Sequence, residues 1–186
     1  MEHDGQESST DNAGEYIDPK NYGVNIFDEE AHDTGTDSDV YLGNEVAIHV
    51  YFKNKVDLPT LKAYQKLTRF AGQYFNCKEY NGIIIALNPI IKVGLVPDGY
   101  QEMTGRPISI SPRIFSPNLL DYLAEIGQKN TFWNGYLANL SQRMNGVLGT
   151  RAIFLEKMNA SYVPETNTLT ITDLCSQVSR LSPGDF

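Results

Sequence analysis

Residues 45–75 decide the fold, and they read EVAIHVYFKNKVDLPTLKAYQKLTRFAGQYF. The first eight alternate between apolar and polar, which puts the apolar side chains on one face: Val46, Ile48, Val50 and Phe52. Asp57 is a suitable helix N-cap, and Pro59 fits the first turn because a missing N–H costs nothing there. We therefore predict a strand over 45–52 and a helix from Pro59 to about Phe75.

The predicted helix has two faces of different character. At 100° per residue, Lys62, Lys66 and Arg69 fall on one face, opposite an apolar face that includes Leu67 and Ala71. Three further lysines flank the helix. The cations form a candidate surface for binding anionic partners: Lys53, Lys55, Lys62, Lys66, Arg69 and Lys78. The alternative is an ordinary solvated face.

The rest of the chain mixes strand and helix patterns. The segment IIIALNPIIKVGLV after Gly82 is typical of buried strands, with Asn88-Pro89 as a bulge or turn. A short helix is predicted over 117–127, with Ser116 as its N-cap. A longer helix is predicted over 131–148. Residues 168–173 alternate as a strand, and 151–158 favour a strand slightly. Without a βαβ rhythm, this pattern predicts an α+β domain in which helices pack on an antiparallel sheet.

Charge divides the chain into two parts. Residues 1–39 carry twelve acidic residues and one lysine, a balance of −11, whereas residues 40–186 balance at +3. The acidic, polar composition of 1–39 predicts a disordered arm. The globular domain is expected over 40–178, followed by a frayed tail over 179–186.

An apolar island interrupts the acidic arm. Its residues are Tyr16, Ile17, Tyr22, Val24, Ile26 and Phe27. From Tyr22 onward they alternate as in a short extended segment. Such a segment either packs on its own domain or docks on a neighbouring copy, and the second possibility makes these six residues candidates for self-association.

The residues that could carry chemistry do not form a recognisable motif. Glycine-rich phosphate loops, zinc motifs and nucleophile motifs are missing. His49 points away from the apolar face of its strand and is expected to face solvent. Cys77 and Cys175 are expected to be buried structural thiols. We therefore predict no catalytic residues, no metal site, no cofactor and no sequence-specific nucleic-acid binding. An acidic start and a broken apolar segment predict a cytosolic chain without a signal peptide or membrane span.

The order of elements over residues 16–97 resembles the matrix proteins of rhabdoviruses, especially the small ones of plant-infecting members. The resemblance rests on EYIDPKNYG before the domain, EVAIHVYF leading into LPTLKAYQKLTRFAGQYF, and NGIIIALNPIIKVGLVP after it. The arm has no Pro-Pro-x-Tyr budding motif and is acidic where relatives carry lysines. From Tyr100 onward the pattern does not match.

The resemblance implies a viral assembly protein without enzymatic activity. Such a protein would self-associate and bridge the nucleocapsid to the inner face of the envelope. Its partners would be further copies, the viral nucleocapsid and an anionic membrane surface, and its location the virion and host membranes. Two other classes remain open: a coat protein that covers nucleic acid, and a small enzyme or ligand-binding module with a deep polar pocket.

Overall fold

Two β-sheets and three helices build the structure. The computed structural model describes residues 15–27, 29–127, 131–175, 177–182 and 184. The helices are α1 (Leu58–Phe75), α2 (Leu119–Glu125) and α3 (Thr131–Leu148). The strands are β1 (Asp33–Thr34), β2 (Ser38–Leu42), β3 (Val46–Tyr51), β4 (Lys78–Tyr80), β5 (Ile83–Leu87), β6 (Lys92–Leu95), β7 (Pro107–Pro112), β8 (Ala160–Val163) and β9 (Thr168–Ile171).

The strands pair into sheets of different design. The first sheet has the order β1-β2-β3-β7-β6 and is antiparallel throughout. The second has the order β4-β5-β9-β8, in which β5 and β9 run parallel. Helix α1 contacts strands of both sheets and thereby joins them. This confirms the predicted α+β class, with an antiparallel sheet packed by helices.

Local signals set the ends of α1 and α2. The Asp57 side chain accepts a hydrogen bond from the Thr60 N–H at 2.8 Å, as expected of an N-cap. Helix α2 is capped in the same way by Asn118, two residues after the Ser116 expected from the sequence. Residues 151–158, for which a strand was slightly favoured, lie outside the named strands because their backbone bonds go to loops and side chains.

Two hydrophobic cores lie in the domain. The larger combines the buried faces of α1 and α3 with the second sheet, and Ile85 of β5 is 1% exposed within it. Trp133 belongs to this core. No described helix has the length and apolarity needed to cross a bilayer.

The smaller core includes residues expected to belong to a disordered arm. Ile17, Val24 and Ile26 are buried against the first sheet. The backbone continues this contact: Ile17 N–H donates to Leu95 O, and Leu95 N–H to the Glu15 carbonyl, both at 2.9 Å. The packed domain therefore starts no later than residue 15, not at residue 40, whereas residues 1–14 lie outside the described residues.

Two smaller expectations also need correction. Cys77 is exposed, because it lies in the turn after α1 with a left-handed backbone φ of 57°. Cys175 is buried, as predicted. The tail expected to fray from Ser179 instead packs on the domain: Val178 and Leu181 are each 4% exposed. Residues 183, 185 and 186 lie outside the described residues.

Candidate functional site

A cavity of about 450 Å³ opens between the first sheet and the segments that flank β8 and β9. We call it the central cleft. The first sheet contributes Val40, Leu42, Ala47, His49, Tyr51 and Ser111 to its wall. The opposite wall is formed by Glu156, Met158, Asn159, Thr172 and Asp173. Apolar side chains of the first sheet thus line one wall, and the other wall is mostly polar. We call the part lined by Asn159, Thr172 and Asp173 the inner end of the cleft.

His49 lies in this cleft and not in solvent as the sequence predicted. Strand β3 is covered on both faces: Ile48 and Val50 enter the smaller core, whereas His49 and Tyr51 line the cleft. The two rings stack with centroids 6.2 Å apart, and the Tyr51 hydroxyl lies 3.3 Å from the Ser109 hydroxyl. Burial lowers the pKa of His49 to about 4, so its imidazole is neutral at pH 7.

Asn159 and Asp173 are brought together at the inner end. The Asn159 carbonyl accepts hydrogen bonds from Thr172 N–H at 2.9 Å and from Asp173 N–H at 3.4 Å. Asn159 immediately precedes β8, and Asp173 comes two residues after β9. The antiparallel pairing of β8 with β9 therefore sets their distance from each other.

Asp173 is a partly buried carboxylate that two hydrogen bonds hold in place. The Tyr64 hydroxyl donates a hydrogen bond to its Oδ1, and Cys175 N–H donates to the same oxygen at 3.0 Å. Burial raises the pKa of Asp173 to about 6, although the Tyr64 hydrogen bond opposes the rise. The carboxylate is thus mostly ionised at pH 7, and both named hydrogen bonds go to its Oδ1.

The charged side chains that line the cleft are acidic. Four carboxylates line it: Asp33, Asp37, Glu156 and Asp173. Among the described residues that line the cleft, none is a lysine or an arginine. Among the described residues, no cluster of three or more His, Cys, Asp or Glu side chains could hold a metal ion. A ligand of this cleft therefore has to bring its own positive charge.

Two wider depressions, each of about 750 Å³, lie beside residues 149–158. One is lined by Arg151, Arg180 and loop backbone, and the other mainly by apolar side chains of α3 and the following loop. The smaller central cleft is the better candidate because it is lined by His49, Tyr51 and Asp173, whose pKa values are shifted by desolvation.

The apolar island of the arm packs on its own domain, which was one of the two possibilities left open. Ile17, Val24 and Ile26 are buried in the smaller core and Tyr22 is partly buried. Tyr16 and Phe27 are 64% and 41% exposed. Three of the six candidate side chains are thus buried against their own domain. Self-association through this segment stays a prediction.

The six candidate cations do not line the central cleft. Lys53, Lys55, Lys62, Lys66, Arg69 and Lys78 are all exposed. The three on α1 occupy the outer face, opposite buried Leu67 and Ala71, as the helical spacing predicted. Binding of an anionic surface by these residues stays a prediction.

The residues that build the central cleft were missed by sequence reasoning. Asn159 and Asp173 are fourteen positions apart and belong to no motif that was searched for. The available signal was the placement of polar residues at the ends of two predicted strands. His49 was misplaced because β3 was assumed to have one buried face.

Comparisons with known proteins give a fold likeness only. No protein-family model matches the chain, and no curated protein matches it. The crystal structure of Rad53 1-466 in complex with AMP-PNP aligns with a TM-score of 0.48 and 13% identity, over 80% of this chain and 37% of that chain. The GDP and kanamycin complex of APH(2")-IIia aligns with a TM-score of 0.35 and 12% identity, over 54% of this chain and 30% of that chain.

This chain therefore spans about a third of each of those two chains. Neither TM-score reaches 0.5, and the likeness by itself assigns no ligand or activity. Neither aligned structure is a viral matrix protein: one is an AMP-PNP complex and the other a GDP and kanamycin complex. This contradicts the expected matrix function and the expected absence of enzymatic activity, and it assigns no activity to this chain. The virion location and the partners expected from the resemblance stay untested predictions.

Proposed function

We propose that this chain binds a nucleotide together with Mg²⁺ in the central cleft. The observation that carries the proposal is that backbone hydrogen bonds hold Asn159 next to Thr172 and Asp173, and that Asn159 and Asp173 both line the central cleft. A carboxylate and an amide are hard oxygen donors, which Mg²⁺ prefers. The apolar side chains of Val40, Ala47 and Met158 suit a flat base.

The spacing of these residues supports the same proposal. Protein kinases hold a nucleotide with a V-A-I-K strand, an Asn that closes the catalytic loop and the Asp of D-F-G, and the last two bind Mg²⁺. In this chain Val46-Ala47-Ile48 precedes His49 on β3, Asn159 precedes β8, and Asp173 follows β9. Helix α1 follows β3, as the helix that pairs with the kinase strand does.

Several positions depart from that pattern. Leu174 and Cys175 follow Asp173 in place of the Phe-Gly of the D-F-G motif. His49 stands where the kinase strand has its lysine. Phe154 stands five residues before Asn159, where the catalytic aspartate is found. The turn between β1 and β2 has a single glycine, Gly35, in place of a glycine-rich loop. The nucleotide phosphates would therefore lack a lysine partner in this cleft.

Electrostatics make the metal essential to the proposal. The cleft has four carboxylates and a histidine that is neutral at pH 7. A free polyphosphate would meet repulsion from every charged side chain of the cleft lining. Magnesium ions bridge phosphate oxygens and carboxylates, and usually need only one or two protein carboxylates. The residues present fit such a complex, with Asp173 and Asn159 as protein ligands.

Calorimetric titration with ADP or ATP, with Mg²⁺ and with EDTA, tests the proposal. We expect binding in Mg²⁺ and a loss of roughly tenfold or more in affinity in EDTA. Asp173→Asn should weaken Mg²⁺-dependent binding to a similar extent, because it removes the metal-binding charge and keeps the shape. Asp121→Asn, at an exposed position on α2, is the matched control. A wild-type protein that binds neither nucleotide under any condition contradicts the proposal.

Phosphoryl transfer is a second candidate, and one observation favours it. Glu156 is an exposed carboxylate that lines the cleft two residues after Phe154, within reach of the same opening. A carboxylate placed there could accept the proton of an attacking hydroxyl group. Release of phosphate from ATP that Glu156→Gln abolishes and Glu165→Gln preserves would support this role. Equal rates for the two variants would contradict it.

A further inference from the structure

Residues 177–181 connect the two sides of the central cleft. Asp37, in the turn between β1 and β2, is 6% exposed, and both of its carboxylate oxygens accept from Ser179. Ser179 N–H donates to Oδ2 and the Ser179 hydroxyl to Oδ1, each at 2.9 Å. The Asp37 carbonyl also accepts from Phe52 N–H at 2.9 Å, which holds the turn on the first sheet.

The same segment is anchored at the opposite side by apolar contacts. Val178 and Leu181 are each 4% exposed and belong to the larger core, which also holds α1. Gln177 and Val178 line the cleft together with Asp37, and Ser179 lies between the two core anchors. The segment therefore crosses the cleft margin from the larger core to the first sheet. Two hydrogen bonds to one carboxylate hold it at the sheet end.

We propose that residues 177–181 act as a strap that closes one margin of the central cleft and opens as a local unit to admit the ligand. The Asp37–Ser179 contact is the catch, because it is the polar link between the strap and the first sheet. Ser179 itself is exposed, so the contact can break at the surface; Val178 and Leu181 then leave the larger core, while α1 and the second sheet stay packed. The inference does not depend on which ligand the cleft takes.

Two native side chains report on the strap. Cys175 is 1% exposed and lies two residues before it, so an opened strap uncovers its thiol. His49 lines the cleft, so its reaction with diethyl pyrocarbonate measures access to the cleft. In a Cys77→Ser background, Cys175 is the remaining thiol of the chain. Its labelling rate by a disulfide reagent then measures how often the strap opens.

The test compares two substitutions in the same hairpin. Asp37→Ala removes both acceptors of the catch, and Asp33→Ala removes a cleft carboxylate that does not contact Ser179. We expect Asp37→Ala to raise the rates of Cys175 labelling and His49 modification by roughly tenfold, because hydrogen bonds to a charged group are lost. Asp33→Ala should match wild type. Ser179→Ala, an exposed change that spares the fold, should give a smaller rise in both rates.

Three outcomes would overturn the strap. Equal labelling rates of Cys175 in the Asp37→Ala and Asp33→Ala proteins would show that the Asp37–Ser179 contact does not keep the strap closed. Faster Cys175 labelling with unchanged His49 modification would show that the segment does not control the cleft. A labelling rate that rises with urea as steeply as global unfolding would show that the strap does not open locally.

Discussion

The Tyr64 hydroxyl on α1 donates a hydrogen bond to Asp173 and accepts one from Leu174 N–H at 3.0 Å. One side chain thus connects the helix that joins the two sheets with the inner end of the central cleft. Tyr64 is 4% exposed, so water does not replace these bonds in the folded chain. The position of the Asp173 carboxylate is therefore coupled to the position of α1.

Tyr64→Phe should destabilise the domain by roughly 1–3 kcal/mol, because it leaves a partly buried carboxylate and a buried N–H without their partner. The free energy of unfolding in urea measures the effect. Tyr74→Phe removes the same hydroxyl from the same helix at a position that is 48% exposed, and it should change stability by less than about 0.5 kcal/mol. Equal losses in the two variants would contradict the coupling.

Asp173→Asn should raise stability at neutral pH and not in acid. Burial raises the pKa of Asp173 to about 6 from 3.8, so the folded chain holds its proton more tightly than the unfolded chain. The folded state is therefore penalised above pH 6, and the penalty disappears as the pH falls from about 6 to 4.

The asparagine keeps the Oδ1 acceptor, so we expect a gain of roughly 1–3 kcal/mol at pH 7.5 that shrinks toward zero at pH 4. Urea unfolding at both pH values measures it, with Asp121→Asn as the exposed control. A gain that is the same at both pH values would show that the carboxylate is not the titrating group.

Gly94→Ala should release the amino-terminal segment from the first sheet. A Cβ at this position would overlap the Glu15 carbonyl and crowd the Ile17 side chain. We expect a loss of roughly 1–3 kcal/mol and faster proteolysis around residues 15–27. Gly72→Ala, on α1 with open space around the added methyl group, is the control and should not destabilise. Unchanged proteolysis of Gly94→Ala would contradict the packing of this segment.

Neighbouring isoleucines of β5 give the sharpest test of the larger core. Ile85 is 1% exposed and Ile84 is 39% exposed on the opposite face of the same strand. Ile85→Asp should unfold the domain, because it buries an unpaired charge, whereas Ile84→Asp should leave it folded. Far-ultraviolet circular dichroism and thermal melting distinguish the two. A folded Ile85→Asp protein would show that the segment is not core.

Most elements of the fold could be predicted from local signals. The alternation over 45–52, the Asp57 cap and the apolar spacing of 131–148 each depend on neighbouring residues, and the structure confirms all three. The packing of residues 15–27 could not be predicted in this way. Ile17, Val24 and Ile26 pack on the first sheet through distant contacts, and Gly94 lets the backbone at Glu15 approach β6 closely.

The central cleft could not be predicted because it depends on distant contacts. His49 faces the cleft because β7 pairs with β3 and the β8–β9 hairpin covers the second face of the first sheet. Asn159 meets Asp173 through backbone hydrogen bonds that periodicity does not encode. A search for adjacent catalytic residues therefore found none.

The most direct test of the nucleotide proposal locates the metal itself. Mn²⁺ replaces Mg²⁺ in oxygen-donor sites and broadens the NMR signals of nearby nuclei. With Mn²⁺ and ADP together, we predict selective broadening of the amide signals of Asn159, Thr172 and Asp173, and its loss in Asp173→Asn. Broadening that is absent, or that concentrates on carboxylates outside the central cleft, would contradict the account.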